Sequence, residues 1–264
     1  MKINNFLSCA VLLSLFVQNT NAARVLVVSD IDDTIKNSHV LNQVDAVKNA
    51  YLTGAEMSVS GMSKLYQSIK RENSEIEFHY VSNAPADLGL DVSHGLFLDN
   101  NNFPVNGVHT KQYIFRGDHK LRAIRTLIDI KSPDVVIMIG DNGEQDASVQ
   151  NQIVNEYANN GAGIRFVQFI REAYSQTDGG SRLKPGQTGF ITPGEIAVQL
   201  ADEKLLKTET AMSLVKNDLS KPNLNLAYWV DCRDHRLLPE PKNEKLAEYL
   251  VDLNREIKIT CGIK

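Results

Sequence analysis

The stretch Val25-Leu26-Val27-Val28-Ser29-Asp30-Ile31-Asp32-Asp33-Thr34-Ile35-Lys36 most limits how this chain can fold. Four apolar residues in succession, without polar alternation, suit a strand covered on both faces, as in a parallel α/β sheet. Such sheets place ligands at the carboxyl ends of their strands, where Asp30 and Asp32 fall two residues apart. Two carboxylates about 4 Å apart repel by roughly 4 kcal/mol at an effective dielectric near ~20, so grouping them calls for a cation or a raised pKa. An acidic cluster that merely caps a following helix is the competing reading, and this stretch alone does not separate the two.

A second stretch differs from the rest. Lys2 precedes an apolar segment over residues 6–17, followed by the polar run Gln18-Asn19-Thr20-Asn21 and then Ala22-Ala23. This order matches a secretory signal peptide over residues 1–22. About 12 apolar residues reach only ~18 Å of a ~30 Å hydrocarbon core, so the mature chain is expected to have no transmembrane span. Anchoring through an uncleaved segment is the alternative. The chain is thus expected to be exported, periplasmic or secreted. Cleavage would remove one lysine and no acid, moving the net charge from -4 to -5, which argues against a nucleic-acid surface. Cys232 and Cys261 would remain; an oxidising compartment permits a bridge between them, and the sequence leaves their pairing open. No CxxC or Cys/His spacing suggests zinc.

The 264 residues are 42% hydrophobic and 23% charged, enough for one sizeable core. Along the chain, residues 40–54 read as a helix or irregular insert. A helix is expected over 58–69, where Met62, Leu65, Tyr66 and Ile69 form a packing stripe. Phe78-His79-Tyr80-Val81 is a strand ending at Ser82-Asn83-Ala84-Pro85, and residues 88–98 are helical. Asp118 is a plausible N-cap for a helix containing His119 and Lys120, ended by Pro133. Val135-Val136-Ile137-Met138-Ile139 is another unbroken apolar strand, and it too stops in acids: Gly140-Asp141-Asn142-Gly143-Glu144-Gln145-Asp146. A helix over 149–157 and a strand over 164–170 follow. Residues 175–189 are a polar connector, with helices near 193–200, 201–217 and 243–255. The alternation implies an α/β fold with a doubly wound parallel sheet, a cap insert that is small at most, and a mostly helical C-terminal extension. The expected division is residues 1–22 as signal peptide, 23–175 as an α/β core and 176–264 as an extension packed on it.

Asp30 and Asp32 with Thr34, Ser82 with Asn83, Lys120, and Asp141 with Asp146 are four sets of matched groups in order. Their order and spacing resemble the haloacid dehalogenase superfamily. Asp30-Ile31-Asp32-Asp33-Thr34-Ile35-Lys36, Gly61-Met62, Tyr80-Val81-Ser82-Asn83-Ala84-Pro85, Phe103-Pro104 and Ile139 to Asp146 look, further, like the catalytic domain of the actin-patch type of phosphatidate phosphatase, over roughly residues 24–175. Asn142 and Ala84 stand where that pattern expects serines. Both departures touch loop shape rather than the acids, and so bear on substrate preference more than on chemistry.

The resemblance implies that Asp30 attacks phosphorus to give an aspartyl-phosphate and that Asp32 protonates the leaving oxygen, then activates water. It places Mg²⁺ on the carboxylates of Asp30 and Asp141 and the carbonyl of Asp32, with Asp146 helping. Oxygen ligands suit this hard cation, and a phosphate dianion would otherwise be repelled by the acids. Lys120 and the Ser82 hydroxyl are expected to hold the phosphoryl oxygens, with Thr34 and Asn83 completing the catalytic set.

Each residue also has an ordinary reading: Ser82 as a turn residue, Lys120 as a surface lysine, Asp146 as a helix N-cap. These readings do not explain why all of them fall at element ends in the right order. His79 reads as a satisfied core or edge histidine, and His119 as a neighbour of Lys120 with substrate contact as the alternative; Lys36 and Arg171 flank the site and read as surface salt-bridge residues, with binding of a second charged group or a lipid headgroup as the alternative. The expected activity is Mg²⁺-dependent hydrolysis of a phosphomonoester, with phosphatidate, a phospholipid at a membrane surface, as the implied substrate and diacylglycerol as product. A soluble phosphomonoester is the alternative substrate, and a non-catalytic phosphate-lipid or metal binding protein is the reading from another class.

Overall fold

The apolar run becomes strand β1, Val25–Ser29, buried at every position. Its lack of alternation has a direct cause: both faces are covered. Val25 and Val27 pack with Leu65, Tyr66 and Ile196 on one side, while Leu26 and Val28 pack with Ile124, Ile128 and Ile153 on the other. The computed structural model describes residues 23–73, 75–112 and 117–263. The expected signal peptide, residues 1–22, lies outside the described residues.

Five further strands join β1: β2 (Glu77–Pro85), β3 (Gly107–Lys111), β4 (Val135–Asp141), β5 (Arg165–Arg171) and β6 (Gln187–Phe190). All pair in parallel, in the order β3-β2-β1-β4-β5-β6. The chain runs outward from β1 through β2 and β3, then returns to lay β4 on its other side. This reversal makes the crevice beyond β1 and β4 the topological switch point, where open α/β sheets bind ligands.

The helices are α1 (Gln43–Ala50), α2 (Met62–Glu72), α3 (Leu90–Asn100), α4 (His119–Lys131), α5 (Asp146–Asn159), α6 (Pro193–Asp202), α7 (Thr208–Leu219) and α8 (Glu244–Cys261). The α/β, doubly wound reading therefore holds: a parallel sheet with helices on both faces. Between β1 and β2 only α1 stands off the core, with no buried residue of its own, so the insert is small.

Residues 176–264 continue the sheet as well as adding helices. Part of the polar stretch expected to be a connector forms β6, whose pairing with β5 places Thr188 beside Phe169. Four residues of mixed polarity are too short for a periodic signal, and the neighbouring strand supplies the reason for their extended shape. A satellite core joins Val198 of α6, Val215 of α7 and Leu250, Leu253 and Ile257 of α8 to Cys232. Cys232 and Cys261 form a disulfide that fixes the end of α8 to the loop before it.

Candidate active site

β1 and β4 lie side by side, with Ser29 paired to Ile139, so the residues that follow them meet beyond the sheet edge. Asp30 leaves β1 with its backbone N–H donating to the Ile139 carbonyl at 2.8 Å. Asp141 is the last residue of β4 and is buried. Asp146 opens α5 and folds back toward both: its Oδ2 accepts the Asp141 N–H at 3.3 Å. Gly140 makes this approach possible, because a Cβ there would sit 2.6 Å from the Asp146 Cβ.

Carboxylate oxygens of Asp30, Asp141 and Asp146 lie within 4.8 Å of one another. Lys120, brought by the first turn of α4, reaches between them. Its Nζ donates to Asp30 Oδ1 at 2.7 Å and to Asp146 Oδ1 at 2.6 Å, and stands 3.6 Å from Glu144 Oε2. The surface-lysine reading of Lys120 is therefore wrong, since its side chain is almost wholly buried. Asp146 is not an N-cap either: it is the first residue of α5, and its side chain is spent on Lys120 and Asp141. Asp118 does precede α4 but makes no side-chain cap bond, pairing with Arg122 at 3.0 Å instead.

Burial raises the Asp30 carboxyl well above its ordinary range; Lys120 opposes this, and Asp146 and Glu144 reinforce it. Burial and the Asp146 and Asp30 charges push Asp141 up in the same way. Burial favours neutral Lys120, but the carboxylates of Asp146, Asp30 and Glu144 outweigh it and hold the ammonium charged far above its usual range. One cation thus faces more acid than it can neutralise. Asp141 Oδ1 accepts the Gly143 N–H at 2.5 Å, while its buried Oδ2 has no hydrogen-bond partner. A hard divalent cation fits this set, which is all oxygen, buried, over-acidic and carries one orphaned carboxylate oxygen.

Asp32 turns away from that cluster. Its Oδ1 accepts the Ser38 hydroxyl at 2.5 Å and its Oδ2 lies 3.2 Å from His94 Nε2. Burial raises its pKa, but His94, the Ser38 hydroxyl and the Lys36 charge together win and hold it below the usual carboxylate range. The Ser82 hydroxyl stands 3.5 Å from Asp32 Oδ2 and accepts the Ala84 N–H at 3.0 Å. Thr34 donates to Asp30 Oδ2 at 3.1 Å, and the Asn83 amide donates to Glu144 Oε2 at 3.2 Å. All eight residues singled out in the sequence, Asp30, Asp32, Thr34, Ser82, Asn83, Lys120, Asp141 and Asp146, thus come together beyond the carboxyl ends of β1, β2 and β4. The Asp32 carboxylate lies outside the three-acid cluster among the described residues.

Two residues expected at the surface are buried. Arg171 ends β5 and donates to the Asp33 carbonyl at 2.8 Å and to Asn37 Oδ1. Lys36 donates to the Ala50 carbonyl at 2.9 Å and lies over the Phe97 ring. Both brace the loop after β1 from beneath, a use that a linear sequence does not display. Asp33 closes that loop by accepting the backbone N–H groups of Ser38, His39 and Val40 and the Tyr174 hydroxyl. It adopts φ +57°, a left-handed conformation that aspartate tolerates better than most residues.

His94 and Ser38 contact Asp32 and Glu144 contacts Lys120, and no sequence motif points to these three by themselves. Glu144 lies within the acidic loop after β4. His94 left one usable trace: it falls on the same buried side of α3 as Phe97 and Leu98, where a polar group needs a partner. His79 is satisfied near the sheet edge by Glu77 at 2.9 Å and His109 at 3.1 Å, as expected. His119 is turned to the His109 carbonyl at 3.1 Å.

In shape, 67% of the chain overlays 98% of the D,D-heptose 1.7-bisphosphate phosphatase from B. bronchiseptica, a crystal structure with magnesium and phosphate, at a TM-score of 0.43 and 14% identity. An uncharacterized protein of Schizosaccharomyces pombe is 28% identical over 166 residues, 57% of this chain. The chain spans about a quarter, 26%, of that relative's length. Residues 25–171, which contain every site residue described above, match the family described as phosphatidate phosphatase APP1, catalytic domain. The chain belongs to that family.

Proposed function

We propose that this chain is a Mg²⁺-dependent phosphatase that hydrolyses a phosphomonoester, phosphatidate to diacylglycerol, through an aspartyl-phosphate on Asp30. The observation that carries the reading is the buried group of Asp30, Asp141, Asp146 and Lys120 at the switch point, inside the stretch that matches the family.

Asp30 attacks phosphorus, the bond to the diacylglycerol oxygen breaks, and Asp32 gives that oxygen its proton. In the second half Asp32 takes a proton from water, the water oxygen bonds to phosphorus, and the bond to Asp30 breaks, releasing inorganic phosphate. His94 and Ser38 favour the ionised form of Asp32, which suits the base; an incoming phosphate dianion favours the protonated form, which suits the acid. Thr34 and Lys120 fix the two oxygens of Asp30, and Lys120 also lends positive charge to the transferring group. The carboxylates of Asp30 and Asp141, with the Asp32 carbonyl and support from Asp146, would hold Mg²⁺, which neutralises phosphoryl charge when bound.

We also propose that residues 1–22 direct export to the periplasm or beyond. The Cys232–Cys261 disulfide supports an oxidising destination. Sequencing the amino terminus of the exported protein tests this, with a start near Ala23 expected.

The decisive assay is phosphate release from phosphatidate vesicles with Mg²⁺, beside Asp30→Asn and a chelator. Release that both controls abolish is the expected result. Release that survives Asp30→Asn sinks the covalent route, and release from soluble esters alone sinks the lipid substrate.

A further inference from the structure

Residues 176–264 reach back to the loop after β1 through one aromatic side chain. Trp229, the single tryptophan of the chain, is half-buried in the segment between α7 and α8 and lies outside the stretch 25–171 that matches the family. Its ring stacks on the His39 imidazole, with centroids 4.7 Å apart and planes within 6° of parallel, and on the Tyr174 ring at 5.3 Å. The Arg171 guanidinium sits over the same indole at 5.9 Å. These separations are those of aromatic and cation–π contacts.

The segment carrying Trp229 is itself fixed to the core. The Asp231 N–H donates to the Ala173 carbonyl at 2.9 Å, and Asp234 Oδ2 accepts the Gln176 N–H at 2.7 Å. Between and beside them, the disulfide holds Cys232, and Glu172 and Glu195 hold His235. The indole is therefore a rigid wall against which His39 rests.

The turn it covers leads directly to Asp32. His39 adopts φ +59°, a left-handed conformation that a residue other than glycine keeps where its surroundings fix it. Its N–H donates to Asp33 Oδ1 at 2.7 Å and its Nδ1 lies 2.9 Å from Asp45 Oδ2, so Asp45 holds the edge of the imidazole and Trp229 covers its face. The preceding residue, Ser38, donates its hydroxyl to Asp32 Oδ1 at 2.5 Å. Tyr174 extends the same support: its hydroxyl donates to Asp33, and its ring lies so near Gly143 that a Cβ there would stand 2.6 Å away.

We propose that Trp229 is a positioning residue for Asp32: by stacking on His39 it holds Ser38 where the serine hydroxyl orients the Asp32 carboxylate. This rests on the reading of Asp32 as acid and base. The C-terminal segment then serves catalysis through the loop after β1 rather than at the reacting atoms. A displacement of about 1 Å can cost roughly 10²-fold in rate, and help from a general acid matters most when the leaving oxygen is strongly basic.

The test compares the full chain with Trp229→Ala, Trp229→Phe and Leu250→Ala, the last a truncation in the satellite core that does not touch His39. Turnover of an alkyl and an aryl phosphate is measured well below each thermal midpoint, beside hydrogen exchange of residues 37–41. For Trp229→Ala the expected result is a fall in kcat of about tenfold or more on the alkyl ester, threefold or less on the aryl ester, little change in KM, and faster exchange at 37–41. Trp229→Phe, which keeps a stacking face, should recover most of both, and Leu250→Ala should lower the midpoint without changing the ratio of the two rates. Equal losses on the two esters overturn the proposal, as does the same selective loss in Leu250→Ala or exchange at 37–41 that matches the wild type. A wild type that hydrolyses neither ester removes the phosphatase reading and the catalytic role of Trp229 with it, whereas an active wild type with an unselective Trp229→Ala removes the positioning role alone.

Discussion

Lys120 Nζ lies 2.7 Å from Asp30 Oδ1 across 90 positions of sequence, and the same nitrogen reaches Asp146 Oδ1 at 2.6 Å. One buried ammonium therefore joins the end of β1, the start of α4 and the start of α5. Lys120→Met leaves buried carboxylates with no permanent counter-charge. Breaking a buried pair by removing one partner costs about 3–5 kcal/mol, so urea unfolding should show a loss of that order and phosphate release should cease. Added Mg²⁺ is expected to restore part of the stability and none of the turnover.

His94 touches the proposed acid and base but not the nucleophile. His94→Leu keeps the volume near α3 while leaving Ser38 as the main partner of the Asp32 carboxylate. General acid and base catalysis is worth about 10²–10⁴-fold, and losing its orienting partner should remove up to about 10²-fold of kcat. Substrates with poor leaving groups should suffer more than aryl phosphates, measured as a steeper dependence of kcat on leaving-group pKa. Equal loss for both would assign His94 to folding alone.

Gly140 faces Asp146 so closely that Gly140→Ala puts the new Cβ 2.6 Å from the Asp146 Cβ. Asp146 must shift, and with it the orientation of the acidic cluster. Displacing such a group is expected to weaken metal affinity about 10–100-fold. A Mg²⁺ titration of activity, read as the half-saturating concentration, checks this.

His235 is clamped between two carboxylates away from the crevice, at 2.6 Å from Glu172 and 2.8 Å from Glu195. Burial lowers its pKa, but the Glu195 charge and the bonds to both acids outweigh it and push it up to about 10. An unfolded histidine titrates near ~6.5, so the folded state binds this proton more tightly. The resulting stability is fully present below about pH 6.5 and is lost as pH rises toward about 10. Urea unfolding between pH 6 and pH 10 should show the decline, and His235→Gln should flatten it.

The Cys232–Cys261 bridge, with a sequence separation of 29, closes a loop worth roughly 3–4 kcal/mol in the chain-entropy treatment. Reduction should lower the unfolding midpoint and expose α8 first. Limited proteolysis near residues 233–243 under reducing conditions measures it.

The sequence by itself determined β1 and β4, because β-branched-rich apolar runs of about five residues, too short for a buried helix and ended by acids, suit strands of a sheet covered on both faces. It also determined the acids at their ends, since Asp30, Asp32, Asp141 and Asp146 follow those runs directly in the chain. Only the tertiary structure decided what surrounds them. Arg171 and Lys36 are buried beneath the loop after β1, and His94 reaches Asp32 from α3, because distant segments happen to supply their partners. The strand β6 exists because β5 offers an open edge, and the disulfide because α8 ends beside Cys232. Periodicity is a local property of the chain and reveals which face a residue occupies; the partner across the space between elements depends on how those elements pack.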